Sequence, residues 1–440
     1  MMSSLPKSSN VSYRRLQALI LAAGVWSGIC INLSPSVAFP VAQTQNNSTA
    51  RALLLQASRK HDQNDLQGAI ALYTQAIQLQ PNLVEAYHDR GLAYVALKDY
   101  QNAIADYTQA IKYKPDFPQA YASRGNAYID LRESQRAIAD YTQAIKYKPD
   151  YAEAYYNRGN AHRELGNQQA GISDYTQAIK YKPDYFIAYN NRGNAYFALA
   201  DYQNAYSDYT QALRLNPTHA SAYNNRGNIA VMQGNYQAAI TNYTQAIQHQ
   251  PGQVEFYKNR ANAQSKLNHH QGAISDYTQA LQLTPNDSVS YKNRGNAYFA
   301  LGDNQRAITD YTQAIKIQPQ YVEAYSNRGA ARAAMKDNQG ALADYAQAIR
   351  INPKFVPTYY NRAGLRDELG DRQGAIADYT QAIQLNPELA DAYYSRGLIF
   401  KAAGNQREAH SDFQKAVELY QKQGNTEWYG HALNQLKRVS

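Results

Sequence analysis

The chain has 440 residues, a formal charge of +9, 40 tyrosines and one cysteine. With one cysteine it is not a disulfide-built fold, and without long acidic or basic blocks it is not a charged disordered chain. A third of the positive excess, Lys7, Arg14 and Arg15, sits in the acid-free first 50 residues, and the rest is spread thinly.

The first 38 residues follow the grammar of a secretory signal. A basic stretch ends at Tyr13-Arg14-Arg15, an apolar run extends from Leu16 to about Leu33, and small residues stand at Ser36 and Ala38, three and one before a cleavage point. The expectation is export to a periplasm, a lumen or the exterior. The alternative is that the run stays as a membrane anchor for an exported array, since it is just long enough to span. The flanks of Arg14-Arg15 do not make a twin-arginine signal, and Ile29 before Cys30 speaks against lipoprotein processing. Residues 39–49, with "QTQNNST" at 43–49, read as a polar linker.

From residue 50 the sequence repeats itself. Prolines 81, 115, 149, 183, 217, 251, 285, 319, 353 and 387 stand 34 residues apart without an insertion. Arginines 90, 124, 158, 192, 226, 260, 294, 328, 362 and 396 keep the same period, giving eleven units over residues 50–423. In each unit the first segment carries Tyr, Arg-Gly and Tyr at its fourth, seventh, eighth and eleventh positions, as in Tyr189, Arg192, Gly193 and Tyr196. At 100° per residue these form one helical stripe. The second segment carries Ala205, Tyr209 and Ala212 on another, so each unit is a helical hairpin. A break and an N-cap are expected at Gly302-Asp303 and Gly166-Asn167, and the proline ends the second helix. One hairpin cannot bury its apolar face alone, so the units must stack. After the last unit, Trp428, Ala432, Leu436 and Val439 follow Thr426 at helical spacing and predict a capping helix within 424–440.

The pattern Tyr-x-x-Arg-Gly-x-x-Tyr, Ala-x-x-x-Tyr-x-x-Ala, Pro resembles the tetratricopeptide repeat over residues 50–423. Departures are local: Leu53 and Lys60 in the first unit, Ala261 and Ala363 for Gly, and Gly171 for Ala. The resemblance implies an all-α solenoid, a right-handed superhelix with first helices lining its concave side.

Arginine at the seventh position stands where that family usually has leucine. A buried guanidinium needs a partner. Asp106, 140, 174, 208, 276, 310, 344, 378 and 412 recur at the twenty-third position, level with the seventh in an antiparallel hairpin. A structural Arg–Asp ladder is expected, with an anion-binding arginine row as the alternative; Arg226 is the exception, facing Asn242.

Two rows of asparagine lie on the side of the first helix away from the tyrosine stripe. The sixth-position row is Asn157, Asn191, Asn225, Asn259, Asn293, Asn327 and Asn361; the ninth-position row is Asn126, Asn160, Asn194, Asn228, Asn262 and Asn296. Asn190 lies at the edge. The amide offers donors and an acceptor, matching the peptide bond, so a periodic row suits an extended chain whatever its side chains. The sixth-position row resembles the asparagine ladder of the repeat region of O-linked N-acetylglucosamine transferase, which implies peptide-backbone binding; that enzyme's catalytic domain has no counterpart here. The family's two-carboxylate clamp would fall on Lys258, Asn262 and Asn293, but Glu323 and Asn327 stand where it needs cations, so chaperone C-termini are not the expected ligand.

Lys112-Tyr113-Lys114, Lys146-Tyr147-Lys148 and Lys180-Tyr181-Lys182 are read as cations complementing helix C-termini, rather than as a nucleic-acid surface. His269-His270 lacks a third metal ligand nearby, and Asn242-Tyr243-Thr244 is a sequon inside a helix. No phosphate loop, nucleophile elbow or zinc spacing appears, so neither an enzyme nor a cofactor or metal is expected. The expected partner is a protein or peptide segment held in the concave groove, not a nucleic acid or small molecule; the alternative is a structural or assembly protein acting through its convex face or by self-association.

Overall fold

A computed structural model describes residues 35–439, with side chains from residue 43. Most of the expected signal segment, residues 1–34, lies outside the described residues. No described helix is long and apolar enough to cross a membrane.

Twenty-three helices, α1 to α23 in chain order, run from α1 (Pro35–Asp62) to α23 (Thr426–Lys437) among the described residues. The chain divides after Lys148 into two compact units, Met1–Lys148 and Pro149–Ser440. Within each, consecutive helices pair as antiparallel hairpins, and the period of the hairpins is the period of the sequence.

One hairpin shows why the sequence folds this way. In α9 (Phe186–Ala198) and α10 (Tyr202–Leu215) the first helix ends where Ala200 turns left-handed at φ 59°, and Asp201 N–H returns to the Tyr196 carbonyl at 2.9 Å. The Asp201 carboxylate then caps the second helix on Asn204 N–H. The same left-handed break recurs in every unit, from Asn64 to Gly404, including Lys98, Arg132 and Lys336. At Gly166-Asn167 the glycine supplies the break as expected, but Asn167 makes no side-chain cap bond; at Asp303 the cap forms on Arg306 N–H.

The two helices close on each other because small residues face large ones. A Cβ placed on Gly193 would stand 2.7 Å from the Tyr209 ring, and Ala205 and Ala212 are fully buried beside it. The core is a column of such alanines and tyrosines, with Tyr73, Tyr107 and Tyr141 in the first unit and Tyr175, Tyr209, Tyr243 and Tyr311 in the second at most 2% exposed. Across repeats, first helices meet directly: α1, α3 (Val84–Ala96) and α5 (Pro118–Asp130) in the first unit, and α7 (Ala152–Glu164) with α9, or α15 (Ser288–Ala300) with α17 (Val322–Ala334), in the second. They therefore form one continuous face in each unit.

One end differs from the sequence reading. The segment 43–49, read as a linker, lies inside α1: no proline or glycine interrupts the chain there, and Ser48 and Thr49 hydroxyls donate back to the Gln45 carbonyl at 2.8 and 3.0 Å. At the other end, Asn425 caps α23, and Trp428 packs edge-on against Tyr394 and alongside Tyr420.

Candidate functional site

Arginine and aspartate meet as their spacing predicts. Nine pairs form among the described residues, Arg90 with Asp106 through Arg396 with Asp412, each a two-bond fork from Nε and Nη2 onto the carboxylate. In Arg192 both bonds to Asp208 are 2.8 Å, and the guanidinium lies 5.5 Å from the Tyr189 ring centre. Burial pushes the Asp106 and Asp208 carboxyls up, against the downward pull of the arginine fork. A third partner escaped the sequence reading: Nη1 donates to a threonine of the preceding repeat, as Arg192 does to Thr176 at 3.0 Å and Arg260 to Thr244 at 2.9 Å. The threonine in the recurring "DYTQA" was a periodic signal for it. The ladder thus holds hairpins together and, as at Thr176 and Thr244, clips successive hairpins to one another.

The asparagine rows are engaged with each other and with the tyrosine core. The ninth-position carbonyl oxygens accept from the buried tyrosine hydroxyls of their own repeats: Asn126 from Tyr141 at 2.7 Å, Asn160 from Tyr175 at 2.7 Å, Asn194 from Tyr209 at 2.9 Å, Asn228 from Tyr243 at 2.8 Å, Asn296 from Tyr311 at 2.9 Å, and Asn262 from Tyr277. The sixth-position amides donate backward to the same oxygens, Asn191 to Asn160 at 3.0 Å, Asn225 to Asn194 at 2.8 Å, Asn327 to Asn296 at 2.8 Å and Asn293 to Asn262 at 3.4 Å. Asn259 instead reaches Asn224 at 2.9 Å. Where both bonds form, both lone pairs of the ninth-position oxygen are committed. That row then presents its amide N–H groups, and the sixth row an oxygen lone pair; the second N–H of Asn191 goes to the Tyr156 hydroxyl at 3.0 Å and that of Asn225 to the Asn190 oxygen at 3.4 Å, while Asn327 keeps its own. Asn157, like the other sixth-position residues including Asn361, is half-buried. Asn190, placed at the edge by helical angle, is instead buried at 6% exposure, between Asn191 and Asn225.

Between the first helices of two successive repeats, Asn296, Phe299, Tyr311, Asn327 and Ala330 line a cavity of about 200 Å³. It joins both asparagine rows to the exposed Phe299 ring. The clamp residues do something else: Lys258 bridges Glu255 at 3.2 Å and Asp287 at 3.1 Å, which hold its ammonium above the usual range despite burial.

The remaining sequence features are absorbed by the fold. Tyr113 stacks on Tyr87, Tyr147 on Tyr121 and Tyr181 on Tyr155, each with centroids 5.8 Å apart, and Lys112, Lys146 and Lys180 lie in the last turns of their helices. His269 precedes α14 (His270–Leu283), and no group of three metal-ligating side chains occurs among the described residues. The Asn242 amide donates to the Ala238 carbonyl at 2.8 Å beside buried Tyr243, which withdraws the sequon from a glycosylating enzyme in the folded chain.

Stacked helical hairpins of one constant length define a helical-repeat protein. Models described as TPR repeat or tetratricopeptide repeat match at residues 57–98, 91–131, 123–185, 186–219, 220–253, 254–287, 276–309, 295–336, 322–355, 368–404 and 390–423. The chain belongs to the tetratricopeptide-repeat family. No curated protein matches it in sequence. Among solved structures, MamA is 26% identical, covering 39% of this chain and 94% of its own, with a TM-score of 0.37. YrrB, described as a TPR protein with an unusual peptide-binding site, is 23% identical over 42% of this chain and 95% of its own, TM-score 0.40. Yeast Tom70 is 15% identical over 90% of this chain and 96% of its own, TM-score 0.41. Proteins of this family generally mediate protein–protein interaction and scaffolding and are generally non-catalytic.

Proposed function

We propose that the chain is a non-catalytic scaffold that holds an extended segment of a partner protein along the face formed by its first helices. The carrying observation is the sixth-position row, in register at the repeat spacing and half-buried. The backward bonds of Asn191, Asn225 and Asn327 orient their amides; Asn327 keeps an oxygen and an N–H for a peptide group, while Asn191 and Asn225, whose second N–H groups go to the Tyr156 hydroxyl and the Asn190 oxygen, keep an oxygen lone pair. The ninth row adds donors, which suits backbone carbonyls. Because both kinds of group pair with main chain, the mode is tolerant of partner sequence.

The test replaces Asn191, Asn225 and Asn327 together by alanine and captures partners from the exported fraction of the native host. Retained helix content with lost capture supports the reading; capture at the original level with intact helices rejects it. The first residues add a second proposal, that they deliver the array out of the cytosol, checked by sequencing the N-terminus of the protein from its host.

A further inference from the structure

The arginine ladder breaks once among the described residues, in the repeat of residues 220–253. Where nine of the other repeats carry an aspartate, Asn242 has turned its amide onto the Ala238 carbonyl. Arg226 has no carboxylate and leans on the preceding repeat instead: Nη2 donates to the Tyr206 hydroxyl at 3.0 Å, and the guanidinium lies 4.8 Å over that ring. Tyr206 stands where the neighbouring repeats have Ile172 and Ile240. The Arg226 Nε is buried with no hydrogen-bond partner. Thr210, whose counterparts Thr176 and Thr244 accept a hydrogen bond from arginine Nη1, donates only to the Tyr206 carbonyl. On either side the ladder is neutralised, Arg192 by Asp208 and Arg260 by Asp276, so one positive charge is left uncompensated in a row of matched pairs. An open surface hollow of about 780 Å³, lined by Tyr189, the paired Arg192 and Asp208, Tyr206 and Thr210 among others, lies beside the Tyr206 ring on which Arg226 leans.

We propose that Arg226 is a binding site for a carboxylate supplied by another molecule, an acidic side chain or a chain terminus. The incoming group takes the role that aspartate plays in the nine intact repeats. A guanidinium edge matches a planar carboxylate in two parallel bonds, and Nε with the second hydrogen of Nη2 supplies them. The tyrosine ring leaves the charge partly compensated by its π face without using Nε, so the site is held in place yet unsatisfied. This reading is independent of the asparagine rows, because it uses the opposite stripe of the first helix.

Sodium acetate and sodium phosphate, each titrated at constant ionic strength into the arginine-¹⁵N-labelled full chain, test it through the Nε–H resonances, with R226Q identifying the Arg226 signal. Acetate should shift Arg226 saturably and leave the nine paired arginines in place. N242D restores the internal carboxylate; it should weaken the acetate response by at least roughly tenfold and raise the melting temperature. No saturable shift at Arg226, a response that survives N242D, or saturation by phosphate alone overturns the proposal.

Discussion

Replacing Asp276 by asparagine changes no volume and removes one charge. Asp276 is 3% exposed and accepts Arg260 Nε and Nη2, both at 2.7 Å. Asparagine keeps one acceptor and turns an N–H toward the other arginine donor, so one charge-assisted bond worth about 1.5–3 kcal/mol is lost. Stranding a fully buried charge costs about 3–5 kcal/mol. Arg260 keeps 19% of its side-chain surface and its bond to Thr244 at 2.9 Å, which places the loss at the lower end, about 2–3 kcal/mol. Because stability in such arrays is passed between neighbours, the loss should be local. Hydrogen exchange followed by mass spectrometry should show faster opening of α13 (Val254–Lys266) and α14, with little change in α21 (Ala390–Ala402) and α22 (Gln406–Lys422). Adding Ile240→Tyr, which copies the Tyr206 arrangement, should recover part of the loss. A cost below about 0.5 kcal/mol, within the range of an ordinary surface substitution, would refute the structural role of the pair.

Ala200→Gly should stabilise the chain by about 1 kcal/mol, since alanine sits there at φ 59°; a thermal melt that stays the same or falls counts against the left-handed strain. Gly193→Leu should destabilise by about 3 kcal/mol or more, as even a Cβ meets the Tyr209 ring at 2.7 Å, and circular dichroism on heating measures it. Burial raises Tyr73, Tyr277 and Tyr379 to about 12, above the free phenol near 10. Their contribution is whole below about pH 10 and lost as pH rises toward about 12. A share of the 295 nm tyrosine signal should therefore appear only together with helix loss at 222 nm in that window; completion of the tyrosine titration with the helices intact would contradict the burial.

The nine Arg–Asp pairs were legible in the sequence because partners 16 residues apart lie in one antiparallel hairpin, whose height matching follows from helix geometry alone. The same holds for glycine against tyrosine, and for the hairpin turn, whose left-handed residue falls at a fixed place even when it is Lys98 or Arg132. The sequence places the asparagines in two rows on the first helices but does not show what they bond. Asn191 meets Asn160, 31 residues back, and Asn225 meets Asn190, 35 residues back. Whether those side chains touch depends on how far and at what angle one hairpin sits on the last, which a period of 34 does not state. Likewise no spacing foretold that Tyr206 would reach across a repeat to Arg226, since the sequence marks only the missing carboxylate at Asn242. Periodicity determined the hairpin and its internal ion pair; the stacking of hairpins decided which polar groups the fold consumes and which it leaves for a partner.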